Sequence, residues 1–299
     1  MFEKRKIVIS DIHGCYDEFR QFLNELNYNE KEDILYVLGD YVDRGPDSFY
    51  VINYLLSLKN NNADVRYLLG NHDDWFLKFL NNNLKEFELL QWFIQGGYHT
   101  LLSYLDEMDK NFVGDILSDF KSTNFKDFIH YLEYGGLTEI YQFLNFKDAI
   151  IHLDKNFGEN FSIDFLDNLQ ICSDLIKHFY LNHYDFFNNL ELFIEDEIFY
   201  YAHGGCNPFL SNFYENSKKD FIWPNRNLFY NSKLNLKKPL VVGHTVTSLI
   251  NPNKEKDIYF SVDGDKIGID GGIVFGNCMI ALIIDKDGSV YRALLGENL

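Results

Sequence analysis

In the first third of the chain, short apolar runs alternate with segments whose apolar residues recur every three or four positions. The runs at residues 6–10, 34–38 and 65–69 predict buried strands. Phe19, Phe22, Leu23 and Leu26 stripe a helix over 16–26, and Val51, Ile52, Leu55 and Leu58 stripe another over 47–58. A third helix opens at 75–80. This order implies parallel strands joined by right-handed crossovers. Residues 84–190 have a different character. Helix-like stretches at 87–93, 165–180 and 184–190 are joined by Asn- and Gly-bearing breaks, which predicts a helical insertion. The last third is rich in strands again. Apolar runs at 190–194 and 198–202 flank an acidic triplet and predict a hairpin. Runs at 258–262 and 266–269, and at 279–284 and 290–294, flank Gly-containing turns, and 240–243 is a further buried strand. The expectation is an α/β sandwich flanked by helices, one domain over 1–299 with the insertion at about 84–190.

Composition narrows the possible partners. Hydrophobic residues make up 46% of the 299 positions, ample for a core and unlike a disordered chain. Lys and Arg number 27 against 45 Asp and Glu, a formal charge of −18. A chain this acidic has no bulk attraction for nucleic acid or an anionic membrane surface. Cys15, Cys172, Cys206 and Cys278 form no C-x-x-C pair, so neither a zinc knuckle nor a redox motif is encoded, and scattered thiols fit a reducing compartment. The apolar stretch near the start is too short for a signal peptide, and no apolar run reaches membrane-spanning length. A cytoplasmic protein is expected.

The chemical signal sits where strands end. Asp11-Ile12-His13-Gly14 follows the first strand, Gly39-Asp40-Tyr41-Val42-Asp43-Arg44-Gly45 the second, and Gly70-Asn71-His72-Asp73 the third. His203-Gly204-Gly205 and Gly243-His244-Thr245 follow two later ones. In α/β folds, ligands bind beyond the carboxyl ends of strands. Carboxylate, imidazole and amide oxygen suit Mn²⁺, Fe or Zn²⁺. Asp11, His13, Asp40, Asn71, His203 and His244 are too many ligands for one open catalytic metal. They are enough for two metals sharing a carboxylate, an arrangement that clamps both oxygens of a phosphoryl transfer. Taken singly, each of these residues could equally cap a helix or fill a turn.

These blocks, in this order, resemble the phosphoprotein phosphatase (PPP) family of dinuclear metallophosphoesterases. The resemblance runs from about residue 9 to 276 and implies the calcineurin-like β-sandwich. It implies that Asp11 and His13 hold the first metal, that Asp40 bridges, and that Asn71, His203 and His244 hold the second. His72 would be the general acid, with Asp43 orienting it and keeping it protonated. Arg44, Arg226 and Asn71 would bind the substrate phosphate. The implied reaction is direct in-line attack by hydroxide bridging two divalent metals, most naturally manganese. Gln95-Gly96-Gly97 with Thr100, together with Asp73 and Ile269-Asp270-Gly271-Gly272, resembles the bacterial and phage branch. The intact Val42-Asp43-Arg44-Gly45 points to phosphoserine and phosphothreonine as substrates, in peptides or small molecules. The related symmetrical dinucleoside tetraphosphatases keep dinucleoside polyphosphates open as an alternative. A phospho-ligand-binding protein without activity is the non-enzymatic one. His99, His130, His152, His178 and His183 read as structural or solvent-facing, and Cys206 as a buried thiol.

Overall fold

The structure is a computed structural model and describes residues 2–131, 152, 156 and 161–295. Part of the expected helical insertion lies outside the described residues. The chain opens as β1 (Arg5–Ile9), α1 (Tyr16–Glu25), β2 (Asp33–Val37), α2 (Ser48–Asn60), β3 (Asp64–Tyr67) and α3 (Asn71–Leu80). Helices α4 (Glu86–Trp92) and α5 (Tyr98–Asp106) follow, linked by a turn of π-helix over Phe93–Gly97. Further helices include Lys110–Lys121, Thr123–Tyr131, Phe161–Phe179 and Leu181–Asn188. The remaining strands are β4 (Phe193–Glu195), β5 (Tyr200–Ala202), β6 (Leu240–Val242), β7 (Tyr259–Phe260), β8 (Lys266–Gly268), β9 (Ile280–Ile284) and β10 (Val290–Leu294).

Two five-stranded sheets result, in the orders β10-β9-β1-β2-β3 and β4-β5-β6-β8-β7. β1, β2 and β3 are parallel, as are β5, β6 and β8. The three expected hairpins pair antiparallel. The period-two alternation of each strand decides what each sheet face covers. Val8, Tyr36 and Leu38 face Phe199, Tyr201, Val241 and Ile267 between the sheets. Ile7, Ile9, Leu35 and Val37 pack outward against helices, including Trp92, Leu101, Phe120 and Phe186 from the insertion region. Tyr200, Ala202, Leu240 and Val242 cover the far face of the second sheet with Phe213, Phe221 and Phe229. The layers are therefore helix, sheet, sheet and helix.

A buried ion pair ties the sheets together. Lys6 Nζ of β1 reaches Asp196 Oδ2 in the β4–β5 turn at 2.7 Å. The Asp196 carboxylate also accepts the N–H groups of Ile198 and Phe199, so the turn runs longer and β5 starts later than the apolar run at 198–202 suggested. The other departure concerns α3, which begins at Asn71 rather than near 75. Its first turn is the polar block Asn71-His72-Asp73-Asp74, which reads as loop by pattern but is fully buried. Among the described residues no disulfide links the cysteines, and no helix is long and apolar enough to cross a membrane.

Candidate metal centre

Five strand exits converge. β1, β2 and β3 deliver Asp11, His13, Asp40, Asn71 and His72 from the first sheet, and β5 and β6 deliver His203 and His244 from the second. Six of the site residues have left-handed backbones. Asp11, His13, Asp40, Asp43, Arg44 and His244 take φ between 46° and 73°. Each such non-glycine conformation costs about 1–3 kcal/mol and persists only where surroundings impose it. Glycines make the convergence possible. A Cβ on Gly70 would lie 2.3 Å from the Asp40 nitrogen, and one on Gly45 would lie 2.2 Å from the His13 carbonyl oxygen.

Asp40 sits in the middle. Its Oδ2 lies 3.4 Å from both His13 Nε2 and His203 Nε2. His13 Nδ1 is 2.8 Å from the Val42 carbonyl, and His203 Nδ1 is 2.8 Å from the Leu38 carbonyl. Those carbonyls can take the Nδ1 protons, so that in the neutral ring each Nε2 offers a lone pair toward the carboxylate. His203 Nε2 also meets Asn71 Oδ1 at 2.9 Å. Lone pairs pointed at one another need a cation between them, and backbone carbonyls behind the rings are the usual support for metal-ligating histidines. Among the described residues, two groups have their donor atoms within 4.8 Å of one another inside each group: His13, Asp40 and His72, and Asp40, His203 and His244. Asp40 belongs to both. The donor set therefore fits two divalent ions sharing one carboxylate.

Asp11 lies outside both groups. Its carboxylate accepts the His244 N–H at 3.0–3.1 Å and the Ser10 hydroxyl. Burial and the neighbouring Asp270 carboxylate push its pKa well up. Asp270 is itself raised to about 6, by burial first. A buried carboxylate pair of this kind is relieved by a nearby cation. Burial also works against Asp40, but His203 and His72 outweigh it and hold that carboxylate well below the ordinary range. His203 is correspondingly raised to about 10, Asp40 overcoming burial. Burial drives His244 down to about 3, with His203 adding to it.

Beside these donors stands a second cluster. His72 Nδ1 lies 2.8 Å from Asp43 Oδ2, and its Nε2 meets Arg44 Nη2 at 2.9 Å. The Arg44 guanidinium also touches His13 Nε2. Asp43 lies where it can orient the ring, while the ring's burial works against its charged form. Burial, aided by Arg44, lowers the His72 pKa to about 3. Burial raises Asp43 to about 8, against the pull of Thr100, Trp92 and Arg44. Arg226 stands apart. It is exposed at the start of the short helix Arg226–Asn231 and makes no ion pair among the described residues.

With this geometry, the family is decided by a model for calcineurin-like phosphoesterases that matches residues 4–265. The chain belongs to that family. Several similar proteins are named symmetrical bis(5'-nucleosyl)-tetraphosphatase. One from Buchnera aphidicola subsp. Acyrthosiphon pisum is 55% identical over 65 residues, covering 22% of this chain and 23% of the relative. Another from Proteus mirabilis is 46% identical over 66 residues, again 22% of this chain and 23% of the relative. The match spans less than a quarter of these relatives' length. A solved structure of a proposed diadenosine tetraphosphatase superposes with a TM-score of 0.54 at 15% identity, over 98% of this chain and 94% of that one. That likeness is one of fold.

Calcineurin-like phosphoesterases are metal-dependent, and this one carries support residues that its motifs did not announce. Asp73 appeared only as a lineage marker. Its carboxylate accepts the N–H groups of Asp40 at 2.7 Å, Gly70 at 2.9 Å and Tyr41 at 3.0 Å, binding two ligand loops together. Asp270 follows β8 just as the other site residues follow their strands, so the strand-exit rule applied once more would have found it. Trp92 and Thr100 hold Asp43 from 49 and 57 positions away; Thr100 appeared only as a lineage marker beside Gln95-Gly96-Gly97, and no local pattern points to Trp92. His183 is a buried structural histidine, bonded to Tyr104 at 2.9 Å and stacked near Phe49. Burial raises the Cys206 thiol to about 12, which fits packing and not nucleophilic attack.

Proposed function

We propose that this calcineurin-like phosphoesterase hydrolyses phosphate monoesters, foremost phosphoserine and phosphothreonine in peptides. The supporting observation is His72, locked through Nδ1 on Asp43 with Nε2 turned toward Arg44 and the metal-donor groups. Serine and threonine leave as alkoxides, which need a proton at the departing oxygen. A phosphoanhydride leaving group needs one far less. A placed acid is worth about 10²–10⁴-fold in rate.

His13, Asp40 and Asn71 with His203 and His244 would hold two divalent ions, with Asp11 close by. The mixed oxygen and nitrogen donors favour manganese, with iron or zinc as alternatives. Bound there, the ions supply Lewis-acid activation of water and neutralise phosphate charge. Arg44 swings from the imidazoles onto the phosphate oxygens, which its fork matches. Its departure, with the arrival of a dianion, removes one cause of the low His72 pKa and supplies an opposite charge. His72 can then carry a proton on Nε2. Water oxygen attacks phosphorus in line, the bond to the ester oxygen breaks, and the Nε2 proton passes to that oxygen. The proton lost by water goes to solvent.

A second reading is hydrolysis of dinucleoside tetraphosphates, favoured by the names of the relatives matched over 65 residues. The two separate in one assay with Mn²⁺, comparing phosphoserine and phosphothreonine peptides with diadenosine tetraphosphate. Phosphate release from the peptides at a kcat/KM above that for the dinucleotide is expected. Turnover of the dinucleotide alone would replace the first reading with the second.

A further inference from the structure

The Asp43-Arg44 pair is held by a segment that contributes none of the candidate metal donors. Trp92 ends α4, its side chain fully buried, and its Nε1–H donates to Asp43 Oδ2 at 2.9 Å. That oxygen is also the one facing His72 Nδ1. Thr100 in α5 donates to Asp43 Oδ1 at 2.7 Å and accepts the Asp43 N–H at 2.8 Å. Between them the π-helical turn brings the Gly96 carbonyl to the Arg44 N–H at 3.3 Å.

Both glycines of the turn are needed for this approach. Gly96 has φ +107°, and a Cβ there would lie 2.2 Å from the Arg44 nitrogen. A Cβ on Gly97 would lie 2.3 Å from the Trp92 indole. The object being held is itself strained. Asp43 and Arg44 are consecutive non-glycine residues at φ 73° and 70°, which an unconstrained loop leaves. The same few residues therefore fix the carboxylate plane, the imidazole behind it and the backbone of the arginine.

We infer that Trp92 and Thr100 are positioning residues for proton delivery, acting through Asp43 on His72, and that Gly96 positions Arg44 for phosphate. This rests on the phosphomonoesterase reading. It goes beyond it by making the leaving-group requirement and the phosphate affinity two separately adjustable properties of the Trp92–Thr100 segment.

The test uses the full chain with Mn²⁺ and two substrates: a phosphoserine peptide, whose leaving group needs a proton, and p-nitrophenyl phosphate, whose leaving group does not. Trp92→Phe keeps an aromatic ring and removes the N–H. Its kcat on the peptide is expected to fall about 10–100-fold, the scale of a misaligned acid, with KM within about twofold. Its kcat on p-nitrophenyl phosphate stays within about threefold, because no acid is needed there. Thr100→Val repeats the pattern, Thr100→Ser restores the peptide rate, and Gly96→Ala instead raises KM about tenfold on both substrates, the scale of one charge-assisted contact. Thr100→Val carries the test if Trp92→Phe does not fold. An independent readout comes from the three tryptophans, whose ¹⁵N-labelled indoles give three resonances. Asp43→Asn should move one of them, the same one that Trp92→Phe removes. Equal loss on both substrates, no loss on either, or three unmoved indole resonances in Asp43→Asn would overturn the inference. If the native protein turns over neither substrate, the functional reading fails by itself, and the indole spectra still decide whether the clamp exists.

Discussion

At the floor of the centre, Asp40, Asn71, His203 and His244 come directly off strand ends, while at the rim Asp43, Arg44 and His72 are held by groups from distant helices. The floor is supported by backbone carbonyls and by one neighbouring side chain, Asp73. The Leu38 and Val42 carbonyls set the imidazole tautomers of His203 and His13, and Asp73 fastens the Asp40 and Gly70 loops through their N–H groups. The rim is supported by side chains, with Trp92 and Thr100 converging on one carboxylate. Backbone support comes with the topology and is shared by any chain that folds this way. Side-chain support has to be supplied by particular residues elsewhere. The floor accordingly binds charge, and the rim tunes what that charge is used for.

The largest expected effect tests whether the floor is one unit. Asp40→Asn removes the only carboxylate common to both donor groups. Metal content by mass spectrometry should fall at both sites together, and activity by roughly 10³-fold or more, the scale of losing a preorganised electrostatic centre. Retention of one tight metal would show that the groups are independent. Next comes the rim. His72 belongs to one donor group, and if it serves as the acid and not as a ligand, His72→Asn keeps its metals while kcat on a phosphoserine peptide falls about 10²–10⁴-fold. If the peptide rate survives, His72 does not supply the proton.

Asp73→Asn separates the floor's support from its ligands. It leaves one oxygen to accept three N–H groups and sets an amide donor among them. Metal affinity by calorimetric titration should weaken about 10–100-fold with kcat at saturating metal little changed. An unaltered affinity would mean the two loops hold their shape without the clamp. Beneath both regions lies the joint between the sheets. Asp196 is held below its ordinary value of 3.8; burial opposes this, and the Lys6 ammonium and two backbone N–H groups outweigh it. Its folded pKa being the lower one, its contribution is present above about 3.8 and is lost as pH falls through that range. Urea midpoints should drop between pH 5 and pH 3, and Asp196→Asn should flatten that part of the profile. The smallest effect belongs to Arg226, exposed and unpaired among the described residues. Arg226→Ala should change KM by less than about threefold, as for a surface charge. A rise beyond about tenfold would bring it into the phosphate site in the bound state.

The sandwich was legible because both of its signals are local. Apolar runs of four to six residues and stripes such as Val51, Ile52, Leu55 and Leu58 report burial on one face within a few positions. The motif blocks were legible because a strand end, a turn and a ligand are neighbours in the chain. Legibility failed where one residue's role depends on another far away. The first turn of α3 looked like loop, since partners brought by the fold make its four polar residues tolerable inside a core: Asn71 meets His203, His72 meets Asp43, Asp73 takes three N–H groups and Asp74 pairs with Lys78 and Lys218. The resemblance places Arg226 at the phosphate, and its exposed position at the start of its helix is a property of packing that the sequence does not show. His72 was expected to stay charged beside Asp43. Its burial and the guanidinium of Arg44, which no linear pattern contains, set the opposite direction.

The sequence by itself determined the two-sheet architecture, the convergence of five strand ends and the donor chemistry gathered there. Periodicity, glycine placement and residue type are written along the chain. Tertiary structure alone decided that Asp40 faces both donor groups, that Asp11 accepts the Ser10 hydroxyl and the His244 N–H, and that Trp92 and Thr100 hold Asp43. Electrostatics and hydrogen bonding act across space, and a carboxylate's partners are whatever the fold brings within about 3 Å.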